Sequence, residues 1–450
     1  MLRLINLFFL IFSFLLHYKA PEDYNFNFCL IVNIAFIIQN VLYFVLSKRS
    51  LVSFEFFFMF AFYCVNFVYP VFYFPSNPTF GVFEYAFNYQ IICKSTAVAF
   101  VAYTCYMFGL SFVKSISEEE SKIDFTFFSK YIFKIILYLF LFLTVWYIIS
   151  VGVAFFKDYE WYVDENNYSP IVSFINILAS MLAMFVFFIH NAKKRSQNLI
   201  IILFFVGIYL LSGSRNMPLG VLIILLIAFN DKVREIPKIL FLGAIILGIF
   251  IFAYISYTRL GGIVNSLGAE SGMDINTGGS VFDFASDLVC NNRNLYVLVD
   301  YADTKGLTYG LNMLSSVLGL VPFLGKFVSD TFGIPMDFMY TAGFNTFLEF
   351  GFGSTWGLGG NIVADVYLSF GFFGVIAAFL FLGFFVSKVI RHYKKDIFYY
   401  IIYCVLASNS IFMNRESFLL PLRGIIYSLI LFWVLNKLFK NKDVNEYSSI

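Results

Sequence analysis

The sequence predicts an all-α polytopic membrane protein, a single integral membrane domain over 1–450 with about 12 transmembrane helices. One long extramembrane loop, 258–360, precedes the last three. Three observations predict this. Hydrophobic residues make up 60% of the 450 and charged residues only 13%, where a soluble domain carries about 25% charged residues. Apolar runs near membrane-spanning length repeat along the chain. Lysines and arginines gather in alternate connectors. So apolar a chain cannot cover its own surface in water, which excludes a cytoplasmic enzyme, a secreted module and a disordered protein. The 63 phenylalanines read as low-GC coding bias rather than function.

The apolar runs are roughly 2–17, 27–46, 51–74, 91–113, 131–152, 170–190, 199–212, 217–230, 236–257, 361–387, 397–413 and 418–436. The first is followed by His17-Tyr18-Lys19-Ala20-Pro21, with no small-x-small cleavage site, and is expected to stay as a first helix. Arg3, Lys48-Arg49, Lys114, Lys122, Lys130, Lys193-Lys194-Arg195, Lys232, Arg234, Lys238, Lys388, Arg391, Lys394, Lys395, Lys437, Lys440 and Lys442 fall on one side of the alternation. They are 19 of the 30 cations, so that side is the cytoplasm and holds both termini.

The opposite side has cation-poor connectors at 75–90 and 153–169 and the long loop, which carries a net charge of −4 up to Leu348. A loop of this length is usually functional. Within it, Gly306 to Gly325 is apolar but broken by glycines and Pro322, as in an interfacial or re-entrant helix. No internal repeat is evident. Of six cysteines only Cys290 lies in a polar loop, so no disulfide framework is implied. The scattered His17, His190 and His392 argue against a metal site; neither a cofactor nor a nucleic-acid partner is expected.

Segment 199–230 is the sharpest feature. It runs between two cytoplasmic cation clusters in 32 residues, where two full spans need about 40. Its tip, Gly213-Ser214-Arg215-Asn216-Met217-Pro218, is expected below the outer surface. There Arg215 and backbone amides around Asn216 suit a phosphate, and Pro218 suits the start of the second arm. The alternative is that Arg215 snorkels to lipid head groups.

Arg259 ends the ninth run at the outer boundary. Arg415, in Asn414-Arg415-Glu416-Ser417, tips the last hairpin and reads equally as a local pair with Glu416. Arg293, in Asn291-Asn292-Arg293-Asn294, is a further cation in the loop. Asp365, inside the tenth run, suits a base, a sugar contact or a pair with Arg415 or Arg423. Glu349 lies among phenylalanines just before that run. Lys94, Lys134 and Glu55 read as snorkelling ends. The stretch Gly351 to Asn361 is glycine-rich but lacks the lysine of a nucleotide loop. It reads as a tight loop where Trp356 and Asn361 can approach a sugar.

The layout resembles the Wzy-type O-antigen and oligosaccharide repeat-unit polymerases of bacterial envelopes. The resemblance rests on the span count, the long loop, Leu211-Ser212-Gly213-Ser214-Arg215, the stretch from Gly359-Gly360-Asn361 to Gly371, and Asn414-Arg415-Glu416-Ser417. It implies a glycosyltransferase of the C-type membrane class in the inner membrane, with a periplasmic active site. Donor and acceptor would be undecaprenyl-diphosphate-linked glycans. Arg215, Arg259 and Arg415 would stabilise the diphosphate leaving group, with Asp365 as the fourth catalytic candidate. Arg293, Asn216, Asn361 and Trp356 would bind substrate. A chain-length regulator of the Wzz type and a flippase are implied as partners. The paired arginine-with-spaced-glycine loop motifs of some members are absent: the position eleven past Arg259 is Glu270. O-antigen ligases depend on a periplasmic-loop histidine, and the long loop has none. A flippase would show two related halves and short loops.

Overall fold

A chain in hydrocarbon must satisfy its backbone hydrogen bonds internally, and the apolar runs do so as helices. The computed structural model describes residues 1–112, 130–152, 170–211, 216–248, 286–354 and 357–447, and no strand occurs among them. Each run carries a helix: Leu2–Tyr18, Phe26–Ser47, Phe54–Asn66, Ile91–Leu110, Lys130–Val151, Pro170–Phe185, Ala192–Leu211, Asn216–Lys232, Lys238–Gly248, Ile362–His392, Ile397–Asn409 and Pro421–Tyr447. Six helices among the described residues are long and apolar enough to cross a membrane, fewer than the sequence reading counted.

Particular residues explain the difference. The run at 51–74 is interrupted after Asn66 by a π-helical turn, Tyr69–Tyr73, with Pro70 near its start. Proline lacks the N–H that a continued helix needs. Ala192–Leu211 starts seven residues before its apolar run and takes in the Lys193-Lys194-Arg195 cluster. Lysine, arginine and glutamine are good helix formers and carry the helix past the apolar stretch. This arm of the hairpin is therefore longer than expected. Pro218 does sit in the first turn of Asn216–Lys232. The hairpin tip 212–215, with Arg215, lies outside the described residues, as do Arg259 and Trp356.

The contacts divide the chain into two compact units. The first comprises Met1–Ser115, Ile239–Lys388 and Ser410–Leu420. Its hub is Ile91–Leu110, buried along nearly its whole length. Leu2–Tyr18 packs on it through Asn6, whose Nδ2 donates to the Met107 carbonyl at 3.2 Å, and Ser13, 2.7 Å from the Thr104 hydroxyl. On another face Gly109 meets Gly383. A Cβ on Gly383 would lie 2.2 Å from the Tyr106 carbonyl and 2.9 Å from the Gly109 Cα. Small residues at such a crossing let two backbones touch, which is how helices gain packing energy in lipid.

Connectors that the cation pattern places on the outer side meet one another in this unit. Asn88 Nδ2 donates to Asp300 at 3.0 Å, Gln90 Nε2 to Asp23 at 3.1 Å, and Lys94 Nζ to Asp303 at 2.6 Å. Connectors assigned to the cytoplasm likewise meet: Arg3 Nε donates to the Ser111 carbonyl at 3.3 Å, and Arg49 lies 3.8 Å from Glu55. Lys94 and Glu55 are thus paired rather than snorkelling. Glu55 is 3% exposed and also receives the Tyr43 hydroxyl at 3.5 Å.

Loop residues 306–325 form the short helix Leu314–Leu318 and the start of Leu324–Phe332, with Val317, Val321, Phe323 and Phe327 exposed. At 5 and 9 residues, both are far below the ~20 of a span.

The second unit comprises Ile116–Lys238, Val389–Asn409 and Pro421–Ile450. Asn216–Lys232 packs against Pro170–Phe185 and Ile397–Asn409. Gly220 allows this, since a Cβ there would lie 3.2 Å from the Ser408 carbonyl. The Tyr400 hydroxyl donates to the Met184 carbonyl at 3.2 Å, and Lys232 Nζ sits 4.9 Å over the Phe188 ring.

Replacing Gly383 by leucine is expected to cost about 1–3 kcal/mol by overpacking. Thermal unfolding of the detergent-purified protein reads this as a lowered Tm. Gly243, whose added Cβ meets nothing within 4 Å, serves as control, and Gly243→Leu should leave Tm unchanged.

Candidate active site

The site grows from the start of Ile362–His392. The first N–H groups of a helix have no partner in their own helix. Asn361 supplies one: its Oδ1 accepts from Val363 N at 2.9 Å and Ala364 N at 3.1 Å. Its Nδ2 donates to Asn66 Oδ1 at 3.0 Å and to the Asn291 carbonyl at 3.5 Å. One fully buried side chain thus caps a helix and ties it to two other segments.

The two residues before it bring the backbone in close. Gly359 adopts φ +75°, the left-handed region that glycine enters without steric cost. A Cβ on Gly360 would lie 2.2 Å from the Glu416 carbonyl. With none there, Gly360 N donates to the Arg415 carbonyl at 2.9 Å. The glycine loop and the last hairpin tip, two motifs singled out in the sequence, are docked backbone to backbone.

Asp365, one turn on, fastens the same hairpin from inside. Its Oδ2 accepts from Phe418 N at 2.8 Å. Its Oδ1 accepts from Asn312 Nδ2 at 2.9 Å and from the Thr341 hydroxyl. Ser369 donates to the Asp365 carbonyl at 2.9 Å and to Asn312 Oδ1 at 2.8 Å. The carboxylate is fully buried and joins the long loop, the helix and the terminal hairpin.

Arg415, held by this frame, is half-buried and has no ion pair among the described residues. Burial pushes the Glu416 carboxyl above its usual range, and the Arg415 charge opposes that shift.

Arg293 has a different setting. It is fully buried, with Nε donating to the Tyr85 carbonyl and Nη2 to the Ala86 carbonyl, each at 3.3 Å. Nη2 also pairs with Glu349, and the guanidinium lies 5.7 Å over the Tyr85 ring. Asn361 is similarly committed to internal partners. Asn216 is exposed at the start of its helix in the other unit. Arg415, Asp365 and Asn361 are therefore the sequence candidates that the structure brings together.

The sequence reading missed four residues of the network. Asn294 Nδ2 donates to the carbonyls of Leu358 at 2.9 Å and Gly360 at 3.2 Å. Asn345 Nδ2 donates to Asn294 Oδ1 at 2.8 Å and to the Gly359 carbonyl at 3.1 Å. Asn312 and Thr341 hold Asp365. The available signal was the Asn291-Asn292-Arg293-Asn294 run: in so apolar a chain, clustered amides mark a buried polar network.

A family model for O-antigen polysaccharide polymerase Wzy matches residues 2–442, nearly the whole chain. The chain belongs to that family. Comparison with curated proteins and with solved structures gave no match. Wzy membership supports, in broad terms, an O-antigen repeat-unit polymerase role, with lipid-linked oligosaccharide substrates and a membrane setting. The apolar helices agree with a multi-pass Wzy protein.

Asn361→Ala is expected to cost roughly 1–2 kcal/mol for the lost cap and about 1–3 kcal/mol for the buried acceptor on Asn66 left unpaired. Asn361→Asp keeps the capping oxygen but removes the donor, and should fall between. Thermal unfolding of the three proteins in detergent orders them.

Proposed function

We propose that this Wzy protein joins undecaprenyl-diphosphate-linked repeat units on the periplasmic face of the inner membrane, as a glycosyltransferase of the C-type class. A hydroxyl of one lipid-linked unit attacks the anomeric carbon of the glycan on another. The glycosidic C–O bond forms, the bond to the diphosphate breaks, and undecaprenyl diphosphate leaves with the bonding electron pair. The hydroxyl proton is released. Repetition grows the chain at its reducing end.

The observation that carries this reading is the match of the family model over residues 2–442. Three further observations support it. The cation pattern puts the glycine loop, the hairpin tip and the long loop on the outer side. Arg415 stands at that tip without an ion pair among the described residues. Its backbone is anchored, with Gly360 bound to its carbonyl and Asp365 to the Phe418 amide three residues on. A diphosphate gains charge as its bond breaks, and a fixed guanidinium facing it stabilises that change. Arg415 takes this role, and Arg215 and Arg259 share it by the sequence argument. Asp365, with its oxygens engaged by Asn312, Thr341 and Phe418, acts through Arg415 as a positioning residue. Asn216, Trp356, Asn361 and Arg293 shape the surroundings of the glycan. A flippase supplies the substrate, and a chain-length regulator sets when extension stops.

The deciding experiment is an electrophoretic ladder of surface polysaccharide from a deletion strain. Polymerase loss leaves lipid A-core carrying a single repeat unit. Disappearance of even that band would overturn the reading in favour of a ligase or a flippase. In a stably inserted protein, Arg415→Ala is expected to cut polymerisation about 10²–10³-fold, the usual loss for one preorganised charge-stabilising donor. Arg415→Lys should recover only part, because lysine keeps the charge and loses the planar fork. Ladder intensity against membrane protein level gives the ratio.

A further inference from the structure

The first unit has a cleft of about 730 Å³ at its outer end, away from Arg415 in the sequence and unused by the mechanism above. It opens where Leu2–Tyr18 ends and Ile91–Leu110 begins, opposite the residue that follows the Gly371 break. Its volume falls within the ~300–1,000 Å³ typical of small-molecule sites.

The lining divides into an aromatic side and a polar side. His17 and Phe372 stack nearly flat, with ring centroids 4.2 Å apart and planes 13° apart, and Phe14 meets Phe372 edge-on at 6.2 Å. Across from them, Gln90 Nε2 donates to Asp23 Oδ1 at 3.1 Å, and Asn88 Oδ1 accepts from Gln90 N at 3.1 Å. These bonds fix the polar groups yet leave capacity, because a carboxylate offers about four lone-pair sites and an amide both donors and acceptors. The enclosed Nδ1 of His17 has no hydrogen-bond partner among the described residues.

Charge selects the ligand class. Glu22 and Asp23 stand at the rim, while Lys94 is engaged by Asp303 at 2.6 Å. Two carboxylates beside a committed lysine repel a phosphate, so a phospholipid head group or a diphosphate is disfavoured. A neutral, hydroxyl-rich ring suits all three features: its C–H face lies on an aromatic surface, and its hydroxyls both donate and accept.

We infer that this cleft is a glycan subsite, binding sugar residues of the acceptor or growing chain remote from the diphosphate. The identification of the glycan as the repeat unit rests on the polymerase reading; the class of ligand rests on the cleft. Binding there holds the chain between additions, so the site raises how many units are joined per encounter, within the limit that the chain-length regulator sets.

The test uses the full chain purified in detergent. The probe is the free repeat-unit oligosaccharide, released by mild acid from the lipid-linked units of the same cells. Calorimetric titration is expected to show binding by the wild type. Gln90→Ala and Asp23→Ala alter exposed side chains, and should raise Kd at least tenfold with Tm unchanged. In cells both should shorten the ladder without abolishing it. Phe372→Ala should weaken binding as well, through loss of the stacking surface. No binding by the wild type, or equal Kd in all variants, would overturn the inference. A phospholipid retained by the wild type in native mass spectrometry and lost from the variants would overturn it in favour of a lipid site. Failure of the polymerase reading registers separately, in the deletion strain, as loss of even the single-unit band or as an unchanged ladder, and leaves the titration interpretable.

Discussion

The structure depends on one constraint: a polar atom withdrawn from water inside an apolar chain must find its partner within the protein. Asn361 shows how the constraint builds the site. The helix Ile362–His392 begins among buried residues, so its first amides need an acceptor, and Asn361 provides it. The same side chain has donors that also need partners, and these fix where Asn66 and the Asn291 carbonyl sit. Asn294 and Asn345 then meet the carbonyls of Leu358, Gly359 and Gly360. The need to satisfy one helix start thus draws four segments, distant in sequence, into one polar core.

Glycine makes this core reachable. Gly360 and Gly383 serve the same purpose in different places, the first admitting the backbone of Glu416 and the second that of Tyr106. Backbone contact at these points sets the position of the hairpin tip and of the hub helix within the first unit without side-chain adjustment. Such fixation is needed for a charge-stabilising group, because a mobile guanidinium gives up in reorganisation what it contributes in electrostatics.

The helices were legible in the sequence because composition and periodicity report them directly. Where a helix changes form inside a run was not, since 51–74 looks continuous in hydropathy while the α-helix stops at Asn66 and a π-helical turn containing Pro70 follows. The pairing of Gly359-Gly360 with Arg415-Glu416 was not legible either. Each motif was visible alone, but contact between residues some 55 positions apart depends on tertiary packing, which local pattern does not encode. Asn294, Asn312, Asn345 and Thr341 escaped notice because neutral amides and hydroxyls stand out less than charges, although in an apolar chain they are under the same constraint.

Arg293 and Arg415 show two different settings for an arginine in this fold. Both lie in segments that the cation pattern assigns to the outer side, and sequence alone ranks them only by context. Arg293 is fully enclosed, and its guanidinium is engaged by two carbonyls and the half-buried Glu349, so removing it would leave that carboxylate and two acceptors without their partner. Arg415 has its carbonyl held by Gly360, and Asp365 holds Phe418 three residues on, while its side chain keeps no ion pair among the described residues. An arginine whose main chain is fixed by such polar contacts, and whose side chain forms no ion pair among the described residues, is suited to meet an anion that comes and goes. In the function proposed above, the departing diphosphate would be such an anion, and the frame of Gly360, Asp365 and Asn312 would hold the cation beside it.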